Sequence, residues 1–265
     1  MWGDMVFVTA VYLLYLAAPI VLLLVGSFGA TWFNTLLPTG FTGGWYAQVI
    51  ADGSFRRAFW TSLQVSASTC VLAALIGVPL AYALHNAAHR GLKLAMRVVY
   101  LLPVAVPPLV LGFGYVLVFS SDALPYLGSL WVLVGGHLAL TLPYLLSALV
   151  GDMRHMGLAE LERAAASLGA GFASRFAHIV LPSLRHSIFS GLIVVAALSI
   201  GEFQLSNLVA GFLTRPYPVV LLQAFYGATG FACAATVILL ALALLAALGG
   251  SLATRGVQTI PELST

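Results

Sequence analysis

Six long apolar runs alternate with short polar stretches, at about 5–27, 58–84, 97–119, 129–150, 188–210 and 226–253. Each can cross the roughly 30 Å hydrocarbon layer of a bilayer as an α-helix. A closed β-barrel would need segments of roughly ten residues with alternating polarity, and these runs are continuous instead. The pattern predicts an all-α membrane protein with six transmembrane helices, forming one transmembrane domain over residues 1–265. The first run follows Asp4 and lacks a basic leader, so it reads as a retained span rather than a cleaved signal. No short-period repeat or low-complexity segment interrupts the pattern.

One stretch breaks the rhythm. Residues 151–187 are too many for a plain turn and too polar to span. Leu158, Leu161, Ala165 and Leu168 recur at i, i+3, i+7 and i+10, which predicts one apolar face of a short helix. Glu160 and Glu162 sit early, where the positive end of the helix dipole favours acids. Gly169 falls where a left-handed cap costs least. A second short helix is expected from about Phe172 to Ile179, and Pro182 suits the first turn of the fifth span. Such a helix either lies on the membrane surface or docks a partner protein. Its small residues Ala164, Ala165 and Ala166 suit close protein packing, whereas surface helices carry bulky apolar groups and a basic face.

Composition agrees with the spans. Of 265 residues, 61% are hydrophobic and 7% charged, far below the roughly 25% charge of soluble domains. The net charge of +3 is carried without a basic run, so nucleic acid is a poor partner. Lys93 is the only lysine and stands in Gly-Leu-Lys-Leu, so the chain has no P-loop to hold a nucleotide. Eight basic side chains fall on the side of the chain termini and three on the other. The positive-inside rule then predicts both termini in the cytoplasm.

The remaining chemistry is sparse. Cys70 and Cys233 lie in apolar stretches and form no C-x-x-C pair. His85, His89, His155, His178 and His186 lack metal-ligand spacing, and no metal site is expected. His137, inside the fourth run, reads as a hydrogen-bonded group between helices. Trp45, Tyr46 and Trp60 fit an interfacial aromatic belt. No nucleophile and base are paired, so catalytic residues are not expected and the chain does not read as an enzyme.

Ala164-Ala165, three residues, Gly169, nine residues and Ile179-Val180-Leu181-Pro182 resemble the EAA loop of ATP-binding-cassette importer permeases. That loop reads Glu-Ala-Ala, three residues, Gly, nine residues, Ile-x-Leu-Pro. The departure is Arg163, which stands where the family has its glutamate; Glu162 is one residue upstream. Leu102-Pro103-Val104-Ala105-Val106-Pro107-Pro108 is similar to the proline-rich third span of those permeases, and Gly136-His137 with Leu142-Pro143-Tyr144 to their fourth.

The resemblance implies the type I importer permease fold with a cytoplasmic coupling helix, in the bacterial inner (cytoplasmic) membrane. It implies coupling through residues 158–182, with Glu160, Glu162, Arg163, Ala164, Ala165, Leu168, Gly169, Ile179, Leu181 and Pro182 at the contact. It also implies the partners: two cytoplasmic ATPase subunits carrying ATP and Mg, a second permease of different sequence, and a periplasmic or extracellular solute-binding protein. This chain would bind no cofactor itself. Thr214-Arg215-Pro216-Tyr217-Pro218 is reminiscent of the subgroup serving polyamines, ferric iron, thiamine and aminoalkylphosphonates.

Two features bear on a pathway. Pro103, Pro107 and Pro108 each remove a helix hydrogen bond, freeing the carbonyls of Val99, Pro103 and Val104. They make either a packed kink or an unwound stretch lining the pathway. Glu202, in the outer part of the fifth run, either pairs with Arg215 or a helix N-terminus, or lines the pathway with Gln204 and Asn207. If Glu202 coupled an ion, the chain could instead be an autonomous secondary transporter.

Overall fold

The computed structural model describes residues 2–255 other than 33, 34, 36 and 88, with side chains over 5–244. The chain divides into two compact units, Met1–Phe59 with Tyr217–Gly249, and Trp60–Pro216 with Gly250–Thr265.

The first unit opens with α1 (Trp2–Phe28), followed by a small hairpin of β1 (Gly29–Thr31) and β2 (Thr39–Phe41), then α2 (Gly44–Ala51). It also holds the start of α3 (Gly53–Asn86), then α11 (Tyr217–Phe225) and the greater part of α12 (Thr229–Arg255). Asp52 starts α3 by accepting the backbone N–H groups of Ser54 (2.8 Å) and Phe55 (3.0 Å). Phe55 is the centre of this unit's core, edge-on to Tyr217 and Phe231 and packed with Val49 and Ala234. The polar ends of two expected belt residues are used inside the chain. Trp45 donates to Gly29 O (2.8 Å), and the Tyr46 hydroxyl meets Ser27 Oγ (2.7 Å). Trp60 is exposed.

The second unit is built on α6 (Leu130–His155) and α9 (Leu181–Gly201), which pack along their lengths. Leu145, Leu146, Leu149, Met153, Leu184 and Val195 fill the interface. The helices approach closely because Gly191 has no side chain; a Cβ there would meet Leu145 Cδ1 at 2.5 Å. Around this pair lie α4 (Arg90–Ala105), α5 (Pro108–Phe119), α7 (Leu158–Ser167), α8 (Phe172–Arg175) and α10 (Gln204–Val209).

Four helices are long and apolar enough to cross a membrane: Met5–Phe28, Gly53–Asn86, Leu130–His155 and the continuous run Phe172–Gly201. The bent pair α4 and α5 passes the same test only when its two helices are taken together. The expected sixth run falls on α12, whose apolar part Thr229–Leu244 is shorter than a span among the described residues.

Three expected boundaries are corrected. The run at 97–119 is two helices meeting at 99° rather than one span, and the first begins at Arg90. Adjacent Pro107 and Pro108 remove two successive N–H donors, and their rings push the preceding turn out of helical conformation. Val106 and Pro107 are accordingly extended, with ψ 126° and 136°. The run at 188–210 ends at Gly201, and a separate short helix follows, for a reason that lies in Glu202 and is given below. The run at 129–150 continues as helix to His155, while helix resumes at Phe172 as expected. Pro182 stands in the first turn of α9 as expected, but that helix continues from the turn before it. A π-helical turn over Phe176–Val180 precedes it, in which Leu181 N–H reaches back to Phe176 O. The wider turn makes room for the proline ring within one continuous helix.

Candidate functional site

The helix α7 is set by glycines at both ends. Gly157 takes φ +64° between α6 and α7, and a Cβ there would lie 2.8 Å from Glu160 Oε2. Gly169 takes φ +83° just past the helix. Its N–H donates to Ala166 O (3.0 Å), and Ala170 N–H donates to Ala165 O (3.0 Å). This is a complete Schellman cap, satisfying carbonyls the helix leaves open.

The two faces of α7 differ from the expected single stripe. Leu158 and Glu162 are buried inward, and Ala165 is partly covered. Leu161, Ala164 and Leu168 point out, with Leu168 88% exposed. The i, i+3, i+7, i+10 pattern joined residues from both sides. Its physical error is Glu162, an acid on the inward side, where Tyr82 Oη of α3 donates to its Oε1 (2.8 Å). Tyr82 also packs edge-on to Phe176 and tilted against Phe172. Leu158 joins the α6–α9 core. The helix is thus clamped from behind by one half-buried hydrogen bond and one core leucine, while an apolar stripe stays open in front.

Other expected contact residues divide between these faces. Glu160 and Arg163 are exposed and paired with each other (2.9 Å). Glu162 does not stand in for the glutamate that Arg163 replaces, because its carboxylate is turned inward to Tyr82. Ile179 packs against the core, while Leu181 and Pro182 are exposed.

The second site is the break between α9 and α10. Glu202 ends α9 in extended conformation and turns its carboxylate onto the start of α10. It accepts Leu205 N–H (2.7 Å), Ser206 N–H (2.9 Å) and Ser206 Oγ–H (2.6 Å). Three bonds to one carboxylate start a new helix here, which is why the fifth span stops. His137 of α6 is buried beside it, with Nε2 3.6 Å from Glu202 Oε2. Since Ser206 Oγ–H goes to Glu202, its oxygen is left to accept from His137 Nε2–H (2.9 Å), and Nδ1 takes the Ser199 hydroxyl (2.8 Å). Gln204 and Asn207 are exposed, on the side of α10 away from this network. Glu202 therefore does not share a face with them. Of the two readings open for it, the bonds are those of a helix N-terminus.

Ser199, Ser206 and Tyr82 were not singled out from the sequence. The available signal for the serines was their place on either side of Glu202 in an otherwise apolar run. Pro103 lies inside α4, and Pro107 and Pro108 form the bend. No group of three metal-binding side chains occurs among the described residues.

Residues 73–256 match the family described as binding-protein-dependent transport system inner membrane component. The chain belongs to that family. This permease is 28% identical over 239 residues to PhnV of Salmonella typhimurium (strain LT2), a permease protein named for a 2-aminoethylphosphonate transport system. The match covers 89% of this chain and 88% of that one. It is 27% identical over 205 residues to PotC of Escherichia coli (strain K12), a spermidine/putrescine transport system permease protein, covering 77% and 75%. Its fold matches a chain of a bacterial transporter involved in import of the acidic polysaccharide alginate. The TM-score is 0.78 at 15% identity, across 97% of this permease and 96% of that chain. The permease is thus an inner-membrane component of an ATP-binding-cassette importer.

Proposed function

We propose that this permease forms half of the translocation pathway of a solute-binding-protein-dependent importer, and that α7 with the turn after it couples the pathway to separate ATPase subunits. The observation that carries this is the open stripe of α7. Leu161 is 48% exposed, Leu168 88% and the nearby Phe172 60%. Outside the hydrocarbon layer such a cluster marks a protein contact. A helix held rigidly from behind transmits force through its fixed hydrogen bonds. ATP and Mg belong to the ATPase. Closure of the ATPase pair moves α7, and Leu158 and the Glu162–Tyr82 bond carry the motion into α6, α9 and α3. At the position of the family glutamate this chain presents Arg163 with Glu160, so its ATPase meets an ion pair there.

The bend at Pro107 and Pro108 and the exposed side of α10, with Gln204 and Asn207, line the pathway, and Glu202 holds that side in place from behind. Pro103 helps shape the same stretch. A second permease of different sequence completes the pore, and a solute-binding protein delivers the cargo. The names of the relatives favour a small amine-bearing solute, an aminoalkylphosphonate or a polyamine, ahead of thiamine or ferric iron.

The test is Leu168→Glu in the full importer. Because the side chain is open, membrane level and melting temperature should hold. ATPase co-purification and ATP-driven uptake should be lost. An ATPase recovered at the wild-type ratio would remove α7 as the docking element.

A further inference from the structure

We propose that a cavity between α4 and α6 binds the phosphate headgroup of an anionic phospholipid. The cavity is about 170 Å³ and is lined by Lys93, Arg97 and Tyr100 of α4 and by Ser147, Gly151 and Arg154 of α6. That is several times the roughly 30 Å³ share of one water, enough for a phosphate group. Lys93 and Arg97 are one helical turn apart on the same face, and Arg154 lies in the last turn of α6. The negative end of the α6 dipole accounts for Arg154 but not for the two cations of α4.

Charge is unbalanced here because nearby acids are engaged elsewhere. Asp152 accepts the Ser187 hydroxyl, Glu160 pairs with Arg163, and Glu162 accepts from Tyr82. Lys93 Nζ donates to the carbonyl of His85 (3.0 Å), leaving two of its N–H groups. Arg97 and Arg154 have no ion pair among the described residues. Three cations around one cavity repel one another until an anion joins them. Tyr100 and Ser147 add neutral hydroxyl donors suited to phosphate oxygens.

The flank of the cavity selects a lipid over free phosphate. No residue of α4 is buried. Leu94, Val98 and Leu102 recur at i, i+4 and i+8 beside the basic pair, each more than half exposed. A basic pocket next to an open apolar stripe fits a charged headgroup with its acyl chains. The inference rests on the reading that the α7 end faces the cytoplasm, which places the cavity at the inner border of the bilayer.

The experiment uses the full importer complex in neutral detergent, as wild type, as Arg97→Gln with Arg154→Gln, and as Arg185→Gln for an exposed arginine outside the cavity. Native mass spectrometry counts phosphatidylglycerol retained, and melting temperature is followed with phosphatidylglycerol, phosphatidylcholine or inorganic phosphate. Wild type and Arg185→Gln should retain phosphatidylglycerol and be stabilised by it alone. The double variant should lose about tenfold or more in occupancy, and Arg97→Lys should restore part of it. Equal retention in wild type and double variant overturns the site. Stabilisation by inorganic phosphate without phosphatidylglycerol overturns the lipid assignment. The ATPase ratio in the same samples is a separate readout, so failure of α7 docking and failure of lipid binding are distinguishable.

Discussion

Glu162 and Glu202 lie at opposite ends of the α6–α9 pair, and both turn their carboxylates inward. Glu162 is 5% exposed and takes one hydroxyl, from a tyrosine 80 residues away in sequence. Glu202 takes two backbone N–H groups and one hydroxyl, all within four residues of itself. The first is a tertiary brace: it pins α7 to α3 and leaves α7 otherwise intact. The second is a local cap that creates α10; it stands 3.6 Å from His137 and is also linked to it through Ser206. A buried acid in this chain can thus hold two elements together or divide one run into two.

Removing the cap should have the largest effect. Glu202→Ala leaves the N–H groups of Leu205 and Ser206 without acceptors and should cost about 3 kcal/mol of stability. Glu202→Gln keeps one acceptor oxygen and should cost about half of that. Thermal unfolding of the purified protein gives both numbers. If Glu202 touched solute instead, the glutamine variant would raise the KM for uptake at unchanged melting temperature, and the comparison would break at its stronger member.

The brace should be weaker in stability and stronger in coupling. Tyr82→Phe keeps the ring packing against Phe172 and Phe176 but strips Glu162 of its donor, at about 1–2 kcal/mol. Because α7 is the element loosened, ATP hydrolysis should continue while uptake per ATP falls. Glu162→Gln in the same background should restore part of the stability, since a buried amide is cheaper than an unpaired carboxylate. An uptake-to-hydrolysis ratio unchanged in Tyr82→Phe would show that α7 does not transmit through α3.

Much of this was legible from the residue pattern, and what was not has a common cause. Apolar run length marked four helices long enough to span, and Pro107 and Pro108 marked where a further run bends. The turn chemistry around Gly169 marked where α7 ends. Facing was not legible. Both sides of α7 carry apolar residues, Leu158 and Ala165 inward and Leu161, Ala164 and Leu168 outward, so periodicity alone could not say which side the protein covers. The deciding partner, Tyr82, is remote in sequence. For Glu202 the sequence left a helix N-terminus and a pathway lining both open, because only the break in the helix shows which groups its carboxylate meets.

The smallest effect tests whether the end of α7 is a matter of conformation or of contact. Gly169 holds φ +83°, and a Cβ there would meet nothing within 4 Å. Gly169→Ala should therefore cost only the left-handed strain, about 1 kcal/mol, with no clash. Gly169→Asn should cost less, because asparagine tolerates that region by bonding locally. If conformation is what matters, uptake should fall in the order glycine, asparagine, alanine. If the ATPase instead packs directly on this glycine, any side chain obstructs it, and the larger asparagine should be worse than alanine. The ranking of two variants at one exposed position thus separates a cap that aims the helix from a surface that the partner touches.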